Sequence, residues 1–132
     1  MNYWNKLKSV IDPIDNMYKF TRDKTVLDKY LNHKKVIINL YDYLMKLLFK
    51  NGDKIVIKEN DYPYKLPNKI KHYLIWIYPN KNYTHIEVEN FLKKFIENNK
   101  DLNIDDYILF RNNVVNKSIE TIEHYHVLFK II

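Results

Sequence analysis

Apolar residues recur along this chain with two different periods. Residues 3–12 place Trp4, Leu7, Val10 and Ile11 at helical spacing, and Asp12-Pro13 stops the run. A longer helical stretch is expected over about 25–50. It carries Leu27, Tyr30 and Leu31, then Ile37, Leu40, Tyr41, Leu44, Leu47 and Leu48, and Asn51-Gly52 is a natural stop. Tyr30, Tyr41 and Tyr43 read as core packing.

The period then changes to two. Lys54–Lys58 alternates as a strand, and residues 60–67 form a loop with two prolines. Lys71–Tyr78 reads as a strand that is apolar on both faces, hence central. Thr84–Asn98 reads as an amphipathic helix, with Thr84 and Glu87 matching a capping box. Asp106–Arg111 and Thr121–Ile131 complete the strands. Helices first and a compact sheet with one intervening helix later predict a single α+β domain over 1–132, its sheet mainly antiparallel.

The last strand holds the most informative feature, Glu123-His124-Tyr125-His126-Val127. Side chains two apart on a strand share a face, so His124 and His126 stand together with Ile122 and Leu128. Imidazole suits proton transfer, phosphoryl capture and metal ligation near neutral pH. A buried pair that hydrogen-bonds a loop and fixes the fold is the alternative. Metal binding would need a carboxylate such as Asp61 or Glu123. Glu123 points to the other face of a regular strand and no metal-ligand spacing is present, so no metal or other cofactor is expected. His72 begins the central strand and shares a face with Trp76; it is either a third polar group of the same pocket or a residue at a solvated strand end. His33 and His85 lie in polar helical contexts and read as surface residues.

Composition narrows the partners. A net charge of +6 invites nucleic acid, but only two of the 22 basic residues are Arg, Arg22 and Arg111. The lysines are scattered along the chain, and Arg is favoured for bidentate contacts. Lys, Asn, Ile and Tyr make up half the chain, as AT-rich codons would give. No specific nucleic-acid role is expected. Any binding to DNA or RNA should be weak and should fall steeply between low and high salt; sequence-selective binding that survives high salt would overturn this. The chain has no cysteine, no visible signal peptide and no apolar run near the ~20 residues of a membrane span, so a cytoplasmic protein is expected. Nothing in the sequence identifies a protein partner.

The ordered motifs resemble the fungal N-acetylglucosamine-induced protein family, a domain of unknown function. They are Trp4 with Leu7, then Arg22, then the loop Asn60-Asp61-Tyr62-Pro63-Tyr64 and the strand His72-Tyr73-Leu74-Ile75-Trp76. Phe110-Arg111-Asn112, Ser118-Ile119 and Glu123-His124-Tyr125-His126-Val127 close the set. Tyr62 stands where Trp is commoner and Ile119 where Val is. The resemblance implies relatives and no established activity. A second, partial resemblance is to histidine-triad nucleotide-binding proteins, carried by Asn113 and the run Glu120-Thr121-Ile122-Glu123-His124-Tyr125-His126-Val127-Leu128. Leu128 stands in place of the third His, and Glu120 in place of Gln. It implies His126 as the residue attacking an α-phosphate.

The expectation is a pocket for a nucleotide or nucleotide-sugar on the His face. His126 would be nucleophile or general base and His124 its neighbour. Asn60, Asn112 and Ser118 would position phosphate or sugar, with Asp61, Tyr64, His72 and Trp76 completing the pocket. The alternative is a non-catalytic interaction or ligand-sensing protein whose His pair is architectural. Ser118 has no evident base partner, which argues against a Ser–His–Asp hydrolase.

Overall fold

The computed structural model describes residues 2–36, 40–112 and 122–132. Helix α1 spans Tyr3–Val10, α2 Lys24–Val36, α3 Leu40–Leu48 and α4 His85–Asn98. The strands are β1 Ile55–Glu59, β2 Ile70–Ile77, β3 Ile104–Phe110 and β4 His124–Ile131. They form one antiparallel sheet in the order β1-β2-β4-β3. The α+β expectation holds, and β2 lies inside the sheet as its two apolar faces require. The helical stretch over 25–50 is seen as α2 and α3; Ile37 between them lies outside the described residues, as do Asn113, Ser118, Ile119, Glu120 and Thr121 and the side chain of Tyr41.

Local chemistry sets the ends of these elements. The Asn2 side chain accepts from the Asn5 N–H at 2.8 Å and caps α1. In α4, Thr84 accepts from the Glu87 N–H at 3.2 Å and Glu87 accepts from the Thr84 N–H at 3.0 Å. The chain has a single glycine, Gly52, at φ +81° just beyond α3, so Asn80 and Asn103 take the other left-handed turns at φ 69° and 56°.

Alternation divides the core between the two sheet faces. Ile75, Ile77, Leu109, Tyr125, Val127 and Phe129 pack against Val88 and Leu92 of α4. The opposite face meets the N-terminal helices in two separate clusters. One joins Trp4, Leu7 and Ile11 to Ile108, Phe110 and Leu128; the other joins Leu44 and Leu48 to Leu74, Trp76 and Ile122. His72, His124 and His126 are buried on this same face. Among the described residues no helix is long and apolar enough to cross a membrane.

Candidate functional site

Strand register builds the site. Leu74 pairs with His126 and Trp76 with His124 across β2 and β4. His72 pairs with Leu128, which makes it the diagonal neighbour of His126, and the two rings meet with Nε2 of His72 2.8 Å from Nδ1 of His126. His126 is sandwiched further: Tyr64 stacks on one side at 5.5 Å between centroids and Phe110 at 5.2 Å. Tyr64 also stacks on His72 at 4.3 Å and on Phe20 at 4.6 Å.

Backbone donors fix how this network is polarised. The Tyr64 N–H donates to His72 Nδ1 at 3.2 Å. Asn60 Oδ1 accepts from the Tyr62 N–H at 2.9 Å, which turns Asn60 Nδ2 toward the same His72 nitrogen at 3.4 Å. Neutral His72 therefore carries its proton on Nε2 and donates it to His126 Nδ1. At the other end Asn16 Oδ1 accepts from the Tyr18 N–H at 3.0 Å, and Asn16 Nδ2 donates to Asn112 Oδ1 at 2.9 Å. Asn112 Nδ2 then donates to Tyr64 Oη at 2.9 Å and faces His126 Nε2 at 3.0 Å. Donors point inward from both ends, so even two neutral rings bring one proton more than the network has acceptors. An added proton has nowhere to go.

The electrostatics agree. Burial, with the Arg22 guanidinium and then His124 adding to it, depresses His72 to about 3. His126 is held well below the ordinary imidazole value by burial first, then by His72, His124 and Arg22. Both rings are neutral at pH 7. Burial is also the main cause that raises the Tyr64 hydroxyl.

His124 has a different environment. Its ring lies against Trp76 at 4.7 Å, and its Nδ1–H donates to the Ile122 carbonyl at 3.0 Å. His124 and His126 sit on the wall of a cavity of about 100 Å³ between α2, α3 and the sheet. Tyr30, His33, Tyr43, Tyr62 and Trp76 supply its aromatic surface, and Arg22, Lys58, Asn60 and Asp61 its polar groups. The loop carrying Asn60 separates it from an open hollow on the other side, lined by Lys71, Tyr64 and the buried His72.

The residues singled out by sequence thus fall into two groups. Asn60, Asp61, Trp76, His124 and His126 line the cavity. Tyr64, His72 and Asn112 lie behind it, their polar atoms occupied within the network. Ser118 lies outside the described residues. No group of three or more potential metal ligands is assembled among the described residues. Tyr30 and Tyr43 line the cavity where core packing was expected. His33, expected at the surface, is half-buried against the Tyr43 and Tyr62 rings at 5.6 and 5.7 Å. His85, expected there too, is half-buried near Tyr125 at 5.9 Å. Asn16 gave no signal in the sequence and is fully buried. Arg22 gave one, its rarity in a lysine-rich chain.

Over 100 residues the chain is 30% identical to N-acetylglucosamine-induced protein 1 of Candida albicans, an alignment covering 67% of this chain and 39% of that one. The chain therefore spans well under half the length of this relative. The crystal structure of HTC1 superposes with a TM-score of 0.56 over 98% of this chain and 80% of the other, at 17% identity, a likeness of fold. A family model described as a protein of unknown function, DUF3605, matches residues 41–130, which include Asn60, His72, Asn112, His124 and His126. The chain belongs to this DUF3605 family of proteins of unknown function.

Proposed function

We propose that this protein binds a small, ring-bearing metabolite in the cavity between α2, α3 and the sheet, and that the His72–His126 pair is the architecture behind the site. The observation that carries this is that neither His126 nitrogen is available as a base, Nδ1 accepting from His72 and Nε2 carrying the proton that faces the Asn112 amide, beside a cavity faced by aromatic rings. A nucleophile or general base must offer a ring nitrogen to its substrate. His126 has none to offer while the network is intact. Tyr and Trp faces suit the apolar face of a sugar or a flat ring, and Asn60 and Asp61 suit its hydroxyls.

Size narrows the ligand. Pockets for drug-sized molecules run to roughly 300–1,000 Å³. A cavity of about 100 Å³ matches one ring better than a whole nucleotide. The Candida albicans relative is named for induction by N-acetylglucosamine. That makes amino sugars and their phosphates a rational first set to test. A second reading, nucleotide or nucleotide-sugar chemistry at His126, draws on the place of His124 and His126 on the cavity wall.

A thermal-shift screen of monosaccharides, sugar phosphates, nucleotides and divalent metals tests the proposal. A ligand at 100 times its Kd adds about 2.7 kcal/mol of stability. Single-ring compounds should raise the melting temperature. His126→Gln separates the two readings. The architectural role predicts a loss of about 1–3 kcal/mol, because a buried partner is left imperfectly satisfied, with ligand binding retained. A variant as stable as wild type that has lost turnover of a nucleotide would establish the second reading instead.

A further inference from the structure

We propose that Arg22 is the anion-binding residue of this cavity, and that the ligand is a single ring carrying one carboxylate or phosphate group. This rests on the cavity being a ligand site. It adds the charge of the ligand and the residue that reads it.

Four charged residues line the cavity wall, Arg22, Lys58, Glu59 and Asp61. Lys58 and Asp61 form an ion pair at 3.4 Å and cancel. Glu59 contributes to the wall but not its carboxylate: it pairs with Tyr73 in β1–β2, so its side chain projects to the α4 face. There it lines a separate hollow with Tyr73 and Phe129. Arg22 is left as the one uncompensated charge among the described residues of the wall.

Arg22 is also held as a binding group. It is half-buried, and its Nε donates to the Tyr62 carbonyl at 2.8 Å. The guanidinium lies over the Tyr30 ring at 4.8 Å and the Tyr64 ring at 5.2 Å. Among the described residues it forms no ion pair with a carboxylate, and Nη1 and Nη2 take no hydrogen bond. A guanidinium held by one nitrogen and two rings has lost most of its side-chain freedom already, so little is lost when an anion docks. Its two free ends match the paired oxygens of a carboxylate or phosphate. The aromatic surface beside it, from Tyr62 and Tyr43, receives the ring. A polyphosphate would bring far more negative charge than one guanidinium offsets; a phosphate monoester, close to dianionic at pH 7, is the upper limit.

Isothermal titration of the full chain tests this with glucose, glucose 6-phosphate, glucuronate, benzoate and inorganic phosphate as probes. Wild type, Arg22→Lys and Arg22→Gln are compared. At least one anionic ring should bind wild type about tenfold or more tightly than glucose, and inorganic phosphate alone should bind less well than that ring. Glucuronate against glucose 6-phosphate tells carboxylate from phosphate. Arg22→Gln should abolish the advantage of the anion, read as the ratio of anionic-ring to glucose affinity within the same variant, and Arg22→Lys should restore part of that ratio. Arg22 also holds Tyr62, so melting temperatures are read alongside; if Arg22→Gln fails to fold, the Lys variant decides by keeping the charge and losing the bidentate geometry. Rings that bind wild type and Arg22→Gln with the same preference would reject Arg22 as the anchor and leave the cavity reading standing. Failure of every ring, neutral or anionic, would reject both.

Discussion

Acidification from pH 7 to about 4.5 is expected to destabilise this protein by several kcal/mol. The cause is the pair of neutral imidazoles buried in the sheet. His72 is depressed to about 3 and His126 well below the ordinary value, burial being the first cause for both. In the unfolded chain each titrates near its ordinary value of ~6.5. The unfolded state therefore binds more protons below about pH 6.5, and stability falls as pH falls. The stabilisation is whole above the unfolded value and is lost on the way down toward the folded value. Each ring contributes a slope of about 1.4 kcal/mol per pH unit, so His72 alone removes on the order of 3 kcal/mol between pH 6.5 and 4.5. His126 acts in the same direction. Asp12 and Asp106 are held below the usual carboxylate range, and their contribution is lost only in the more acidic window below about 4. Denaturant unfolding at a series of pH values measures the slope. It should correspond to about two protons taken up on unfolding near pH 5, and to far fewer in a His72→Gln/His126→Gln double variant. A flat profile from pH 7 to 5 would mean that the rings are not buried neutral.

Period alone made most of this sheet readable. The alternation in residues 121–131 placed His124 and His126 on one face, and the apolar faces of the strand carrying His72 placed it between neighbours; both features are local and need no partner. His72 was visible among the pocket residues toward which the His face points, but its direct hydrogen bond to His126 was not readable. That bond depends on Leu74 lying opposite His126, and that register is set by the packing of both faces at once. Asn112 was visible as a candidate, but its role comes from Asn16, which reaches it through a short parallel bridge and is 96 positions away. A stretch such as Asp15-Asn16-Met17 has no periodicity that would mark a buried amide. The cavity was hidden for a related reason. Tyr30 and Tyr43 fall on a helical stripe that reads as core, and the same stripe lines a void only because Tyr62 and Trp76 stand across from it without filling it.

Phe110 is where the packing and the polar network meet, and Phe110→Ala should have a large double effect. Its ring is fully buried, stacks on His126 at 5.2 Å and on Phe20 at 5.8 Å, and belongs to the cluster with Trp4, Leu7 and Leu128. Removing a buried aromatic ring costs about 3–5 kcal/mol, the sum of lost transfer energy and the void left behind. For a domain stable by roughly 5–15 kcal/mol that is a large share. The void would not be an ordinary apolar one. One wall would be the His126 ring and its surplus proton, and a cavity with a polar wall and room for water tends to fill. A water there would accept the hydrogen that the network leaves without an acceptor and would reduce the desolvation that depresses His126. The His126 pKa should therefore move up, toward the ordinary imidazole value, and the acid slope should shrink even as overall stability drops. Phe110→Leu keeps most of the volume and should cost less while leaving the slope near wild type. Denaturant melts give the first effect, and an NMR titration of the histidine rings gives the second. A Phe110→Ala variant within about 1 kcal/mol of wild type, or one whose His126 stays as depressed as before, would show that the ring neither supports the cluster nor seals the pair from water.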